Sequence, residues 1–220
     1  MDGSQIGLLL FYLPILLFSV IVHECSHGLV ALWNGDPTAK YAGRLTLNPI
    51  PHLDLYGSIL FPGILLLTGS RFLFAWAKPV PVDDRNLRNK WASILVAGAG
   101  PVSNLLLAYV FALVLSGLAR LNASGLDAGV VICAMGVRVN CLLAVFNLLP
   151  IPPLDGHWVL LRVLPPNLAR AYARIGFMGI IIIILLFLIP GVSEVLVQRP
   201  VRFLSSLLLQ LAGLPSAGLS

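Results

Sequence analysis

The chain has 220 residues, of which 58% are hydrophobic and 10% are charged, and its mean hydropathy is +0.94. Soluble domains carry about 25% charged residues, so this composition excludes an ordinary soluble protein and indicates one that lies in the lipid bilayer. The net charge of +5 fits the Lys and Arg that mark cytoplasmic loops. No basic run is interleaved with aromatic residues, so nucleic acid is not an expected partner.

The first apolar run leads directly into a metal-binding motif. Residues 6–22 are uncharged and mostly apolar, and they are followed by the HExxH sequence of 23–27. In a helix over 6–34, His23 and His27 lie on one face, about 6 Å apart along the axis, where they could bind Zn²⁺. Glu24 beside them is placed to act as a general base. The motif therefore predicts zinc-dependent hydrolysis within the bilayer, with one Zn²⁺ per chain.

A zinc hydrolase usually binds its metal through three protein ligands, and few residues could supply the third. Asp155 follows three prolines at the end of an apolar run, where a carboxylate is costly and therefore indicates function. We predict Asp155 as the third ligand, in a non-helical loop over 150–157. His157 is the alternative; His52 and Asp54 are weaker candidates, because they lie in a loop predicted to be cytoplasmic.

The apolar runs predict an all-α polytopic membrane protein with about four to six membrane segments, in a single domain over 1–220. Residues 40–47 alternate enough in polarity to predict a small strand or hairpin, the first part of a strand and re-entrant region over 40–77. The remaining predicted segments are spans at 91–119 and 128–149 and C-terminal segments over 175–212.

Basic residues predict how these segments are oriented. Lys and Arg concentrate in 40–54, 78–90 and 162–174, which we expect on the cytoplasmic side, whereas we expect 120–128 outside. If the first two basic segments share a side, the apolar run 55–77 between them cannot cross the bilayer once. We therefore expect it to be re-entrant, and the two halves of the predicted zinc site then reach the same depth.

The order of the motifs resembles the site-2 protease family of intramembrane zinc metalloproteases, peptidase family M50. The resemblance rests mainly on HExxH in the first span and on the Asn-Leu-Leu-Pro-Ile-Pro-Pro-Leu-Asp-Gly sequence of 147–156. Three weaker motifs accompany them: 48–54, 76–82 and 99–104. The likeness covers nearly the whole chain and fits the compact prokaryotic branch, which lacks the PDZ and CBS domains of larger members.

This resemblance implies an endopeptidase for regulated intramembrane proteolysis. Its expected substrates are single-span transmembrane proteins, among them membrane-tethered regulators after a prior cleavage. The expected location is a prokaryotic inner membrane, with the active site toward the cytoplasm. By position, the resemblance implies three zinc ligands and a general base and acid: His23, His27, Asp155 and Glu24. Asn147 and Asn104 match family positions that orient substrate or support the oxyanion.

Two other functions could use the same residues. A metal transporter would pass ions between intramembrane His and Asp side chains, but it predicts more polar positions along the spans than the sequence shows. A zinc-binding membrane scaffold would keep the fold without hydrolysis. Glu24 separates the three functions, because only a protease requires its carboxylate.

Overall fold

The structure is a computed structural model that describes residues 3–54, 78–121, 127–176 and 178–215. All regular secondary structure in these ranges is helical. The α-helices, in chain order, are α1 (Gly3–Trp33), α2 (Thr38–Tyr41), α3 (Lys90–Leu121), α4 (Asp127–Asn147), α5 (Asp155–Val163), α6 (Pro166–Ala173), α7 (Met178–Leu188), α8 (Pro190–Ser193) and α9 (Arg199–Leu211). Short 3₁₀ turns lie at Ile50–His52 and Asp84–Asn86, and a π-helical turn at Glu194–Gln198 joins α8 to α9.

Three of the described helices are long and apolar enough to cross a membrane: Leu10–Trp33 within α1, Lys90–Leu121, and Ala128–Asn147 within α4. A helix of 20 residues is about 30 Å long, which is the thickness of a bilayer's hydrocarbon core. α6 and α7 are bent by 76° and could together form a fourth, broken span. The prediction of an all-α membrane protein is confirmed, while the number of membrane segments stays a prediction.

The three spanning helices pack closely through small residues. Ala108 and Ala112 on α3 are fully buried, and a Cβ added to Gly136 on α4 would lie 2.5 Å from the Phe111 ring. Lipid tails are as apolar as leucine, so helices associate in a membrane by close packing rather than by escape from water. α9 completes the bundle by packing one face against α3 and α4. That face carries the buried residues Val201, Ser205 and Leu209.

The strand predicted over 40–47 is wrong. Thr38–Tyr41 form α2, and Gly43 then adopts a φ of +65°. The N–H of Arg44 donates to the Ala39 carbonyl at 2.9 Å, and that of Gly43 donates to Lys40 at 3.0 Å. These two bonds are a Schellman helix end, which the alternating pattern concealed and which a glycine after a short helix favours. A strand here would also lack a partner strand among the residues that the structure describes.

Other segment boundaries differ less from the prediction. α5 begins at Asp155, so the loop predicted over 150–157 ends at Leu154, whose backbone is extended (φ −68°, ψ 160°). The prolines before it cannot continue α4, and an acidic residue in the first turn favours a new helix start. The predicted re-entrant run 55–77 lies outside the described residues. Its two flanks meet, because the Lys78 N–H donates to the His52 carbonyl at 2.9 Å.

The segments predicted to share one side of the membrane are joined in the structure. The carboxylate of Asp36, just after α1, accepts the Asp83 N–H at 2.7 Å and the Asn86 side-chain amide at 3.0 Å. Arg162 on α5 forms an ion pair with Asp84 and donates from Nε to Ser93 Oγ at 3.1 Å. The end of α1, residues 78–90 and α5 therefore lie at one end of the bundle.

Candidate metal centre

Three residues from distant parts of the chain converge at this end of the bundle. The Nε2 atoms of His23 and His27 are 3.0 Å apart. The carboxylate oxygens of Asp155 lie 3.0 Å from Nε2 of His23 and 3.4 Å from Nε2 of His27. Both histidines are buried. Ligands bound about 2.0 Å from a tetrahedral zinc ion are about 3.3 Å apart, so these separations suit one zinc ion.

In each histidine ring, the hydrogen-bond partner of Nδ1 determines whether the lone pair lies on Nδ1 or on Nε2. His27 Nδ1 is 2.7 Å from the Val96 carbonyl, and a carbonyl only accepts, so Nδ1 carries the proton. Asn104 places Nδ2 3.2 Å from the Ser19 carbonyl, so its Oδ1 faces His23 Nδ1 at 2.6 Å. His23 is therefore also protonated on Nδ1. With Nδ1 carrying a proton, each ring in its neutral form presents its Nε2 lone pair to the centre, as a metal ligand must.

The centre consequently holds acceptors that face one another. Two imidazole lone pairs point at a carboxylate, and Asp155 Oδ2 is buried with no hydrogen-bond donor among the described residues. Such an arrangement is unfavourable unless a proton or a metal cation lies between the groups, and a metal cation can contact all three at once. Two histidines and one carboxylate are a donor set of catalytic zinc sites, with one position left for water or substrate. The residues therefore fit a single Zn²⁺, as predicted.

A buried amide network supports His23 from behind. Asn104 Nδ2 also donates to Asn140 Oδ1 at 2.9 Å. Asn140 in turn donates from Nδ2 to Ser19 Oγ and to the Gly136 carbonyl, both at 2.9 Å. Ser19, Asn104 and Asn140 are fully buried. Because the carbonyl partners can only accept, neither amide can turn over without losing hydrogen bonds, so the network holds His23 in one tautomer.

Gly100 on α3 forms the wall beside both ligand rings. A Cβ added there would lie 2.4 Å from Nε2 of His27 and 2.5 Å from Nε2 of His23. No side chain fits at such distances, and the clash would fall on the two metal-binding nitrogens. The structure therefore places Gly100 at the centre itself.

Glu24 lies beside the centre on α1 and is half-buried. Its Oε2 accepts the backbone N–H of Val80 at 2.8 Å. Cys25 faces elsewhere, since its thiol donates to the Thr46 carbonyl at 3.1 Å. The carboxylate predicted to be the general base is thus held through one oxygen by the Val80 N–H.

Comparison with known proteins agrees with this arrangement. The sequence profile of peptidase family M50 matches residues 11–128. The chain belongs to peptidase family M50. YwhC of Bacillus subtilis (strain 168), named as a candidate zinc metalloprotease, is 42% identical over 189 residues, which cover 82% of this chain and 81% of YwhC. Rip2 of Mycolicibacterium smegmatis (strain ATCC 700084 / mc(2)155), named in the same way, is 30% identical over 195 residues, 87% of this chain and 71% of Rip2.

No solved structure matches the chain significantly. The family and the metal centre together indicate a zinc metallopeptidase that is embedded in a membrane.

The other predicted ligands lie outside the M50 metal centre. The ring of His157 contacts those of Trp158 and Tyr172, with centroids 5.3 and 4.9 Å away. Residues two apart on a helix point about 200° apart, so α5 cannot direct both Asp155 and His157 to one point. His52 is buried and places Nε2 2.8 Å from the Thr46 carbonyl. Neither His52 nor Asp54 belongs to the described group that could hold a metal.

The two predicted asparagines occupy different positions in this M50 fold. Asn104 is fully buried behind His23, with both ends of its amide bonded. In the described residues Asn104 supports a metal ligand, and its role toward substrate or the oxyanion stays a prediction. Asn147 is the last residue of α4, is partly buried and donates to the Leu143 carbonyl at 3.0 Å. Its role toward substrate stays a prediction.

Proposed function

We propose that this protein is an intramembrane zinc endopeptidase that hydrolyses peptide bonds within the transmembrane segments of other membrane proteins. One observation carries the proposal: the ligands His23 and His27 lie within a membrane-length helix, with Glu24 between them in sequence. A general base next to a zinc site with an open position serves hydrolysis, and neither ion transport nor scaffolding requires it. Ionisable side chains within a membrane span are costly, and those that occur there usually have a function.

His23, His27 and Asp155 would hold the metal, which supplies Lewis acidity to activate a water molecule and polarise the scissile carbonyl. Glu24 accepts the proton of the attacking water and delivers it to the leaving amine nitrogen as the C–N bond breaks. Its Oε2 is engaged by Val80, which leaves Oε1 for proton transfer. Asn147, at the end of α4, assists the oxyanion of the tetrahedral intermediate.

The substrate is a single-span membrane protein, including membrane-tethered regulators that a first protease has already trimmed. A helical substrate must unwind locally, since its peptide groups are hydrogen-bonded within the helix. His27 lies six residues before the end of α1, about 9 Å of helix rise. The centre is therefore near the end of the bundle that carries the basic segments, which we assign to the cytoplasmic face of a prokaryotic inner membrane.

The test reconstitutes the purified full chain in liposomes with a panel of single-span proteins and identifies fragments by mass spectrometry. Wild type should cut within the membrane segment, and Glu24→Gln, which keeps the side chain's size, should not cut while it still binds zinc. A zinc chelator should stop cleavage and added zinc should restore it. Zinc flux across the liposomes that persists in Glu24→Gln, without cleavage by wild type, would instead support a transporter. Zinc binding with neither cleavage nor flux would support a scaffold.

A further inference from the structure

The segment Lys78–Asp83, named the strap here, passes α1 next to Glu24, and its Val80 N–H is the donor that engages Oε2 of Glu24. It contains the sequence Lys78-Pro79-Val80-Pro81. Lys78 and Val80 each precede a proline, which disfavours helical backbone at both residues. The two prolines fix their own φ angles. The sequence therefore favours an extended, stiff strap before any tertiary contact forms.

The strap contributes a single backbone donor at the active site. Because proline has no N–H, Val80 carries the only backbone donor in Pro79–Pro81. That N–H donates to Glu24 Oε2 at 2.8 Å. The Val80 side chain is buried against Gly28, one helical turn after Glu24, where an added Cβ would lie 2.9 Å from Val80 Cγ1. The position of Val80 thus determines where the Glu24 carboxylate is held.

Arg44 fixes the strap at the residues next to Val80. Its side chain is 6% exposed, and its Nη2 donates to the Lys78 carbonyl and, at 3.4 Å, to the Pro79 carbonyl. Both bonds come from the single nitrogen Nη2, while Nε of Arg44 is buried with no partner among the described residues. A buried guanidinium is costly without such bonds, so its contacts with the two carbonyls tie the strap to Arg44. The far end of the strap is held separately, by the Asp83 N–H on Asp36.

We propose that Arg44 is a positioning residue for proteolysis, which holds the strap so that the Val80 N–H keeps the Glu24 carboxylate in its reactive position. This role rests on the proposed function, because it requires Glu24 to be the general base. Without the strap, the glutamate side chain could rotate about its own bonds. Misplacing a catalytic group by about 1 Å costs on the order of 100-fold in rate.

Cleavage kinetics give the first measurement. We expect Arg44→Gln to lower kcat about 10–100-fold, with little change in KM. Its zinc affinity, measured by competition with a chelator, should equal that of wild type. Lys40→Gln is the matched control, because it removes the same charge from an exposed residue of the same segment. It should leave kcat and zinc affinity unchanged.

A second pair of variants tests the hydrogen bond itself. Val80→Pro removes the N–H, whereas Val80→Ala removes side-chain packing and keeps the N–H. Val80→Pro should lose more kcat than Val80→Ala at equal zinc content. Equal losses in the two variants would show that packing, and not the hydrogen bond to Glu24, is what matters.

Hydrogen exchange at the Val80 amide gives a readout that needs no substrate. Fragmentation in the mass spectrometer can isolate this amide, since its neighbours Pro79 and Pro81 have none. We expect slow exchange in wild type and faster exchange in both Arg44→Gln and Glu24→Ala. Unchanged exchange in Arg44→Gln would overturn the proposal, as would faster exchange with an unchanged kcat. A loss of zinc parallel to the loss of rate would also overturn it, since Arg44 would then serve the metal centre's stability.

The two proposals fail in distinguishable ways. If wild type cleaves none of the substrates, the proposed function fails and the positioning role for proteolysis falls with it. The exchange measurement still reports, independently, whether Arg44 holds Val80 against Glu24.

Discussion

The amide oxygen of Asn104 lies 2.6 Å from Nδ1 of His23, on the opposite edge of the ring from the metal centre. This contact decides which nitrogen of His23 is free to bind a metal. It also gives a function to a buried amide in the middle of an apolar helix, where an unpaired polar group would be costly. Hydrogen bonding to the far nitrogen of a histidine ligand fixes the ring and raises its basicity.

Asn104→Leu should therefore weaken zinc binding about 10–100-fold, the range typical for a partner of a metal-binding histidine. Asn140→Leu should act in the same direction but less, because it reaches His23 only through Asn104. Chelator competition on the purified protein measures both effects. Leu106→Ala, on an exposed face of the same helix, is the control and should bind zinc as wild type does. If Asn104→Leu unfolded at a lower temperature but bound zinc normally, the amide network would stabilise the fold without supporting the metal ligand.

Two glycines of α3 offer a matched comparison. Gly100→Ala should abolish stoichiometric zinc binding, because the new methyl group would lie 2.4–2.5 Å from the ligand nitrogens. Gly98→Ala adds the same group where nothing lies within 4 Å. It should keep zinc and stabilise the helix by about 0.5–1 kcal/mol. Zinc content by atomic absorption and thermal unfolding of both variants check these outcomes. Full zinc content in Gly100→Ala would contradict the close approach of α3 to the histidines.

The core of the centre could be predicted from the sequence because its signals are local or costly. His23 and His27 lie one turn apart in one helix, so their geometry follows from helix periodicity alone. Asp155 was predicted because a carboxylate beside an apolar span is costly unless it has a function. Basic residues also predicted which segments lie together, and the hydrogen bond from the Lys78 N–H to the His52 carbonyl joins two of them.

What the sequence could not predict depends on packing between helices. The roles of Asn140, Gly100 and Arg44 follow from which neighbour each one meets, and no local pattern specifies that. A lone amide within the apolar run of α4 was the available signal for Asn140. The error over 40–47 has a local cause, since eight alternating residues are a weak strand signal. Gly43 was the better indicator there, as a helix end.

The choice between Asp155 and His157 as third ligand can be tested directly. Asp155→Ala should reduce zinc affinity by more than the 10–100-fold expected for partners of the ligands, because it removes a ligand. His157→Phe keeps an aromatic ring against Trp158 and Tyr172 and should bind zinc normally. Chelator competition measures both. Weakened binding in His157→Phe, with Asp155→Ala unaffected, would reverse the assignment.

Asp36 provides a prediction for the dependence of stability on pH. Its carboxylate is fully buried and accepts hydrogen bonds from Thr38, Asp83 and Asn86. Burial raises the pKa of Asp36, but the hydrogen bonds outweigh it and hold the pKa below the usual 3.8. A group with a lowered folded-state pKa stabilises the fold above its unfolded-state value, and this contribution is lost as the pH falls through the folded-state pKa.

Asp36→Asn should therefore destabilise the protein at pH 7 by about 2 kcal/mol, because the amide puts a donor where the carboxylate accepted one. The difference from wild type should shrink as the pH falls below about 3.8, because Asp36 of the unfolded wild-type chain is then protonated before the folded carboxylate is. Unfolding in detergent micelles at pH 7, 5 and 3 measures this difference. Glu194→Gln is the control: Glu194 pairs with the exposed Arg199 and Arg202, and such surface pairs contribute little. A difference between Asp36→Asn and wild type that stayed constant down to pH 3 would show that the charge of Asp36 does not stabilise the junction between α1 and the strap.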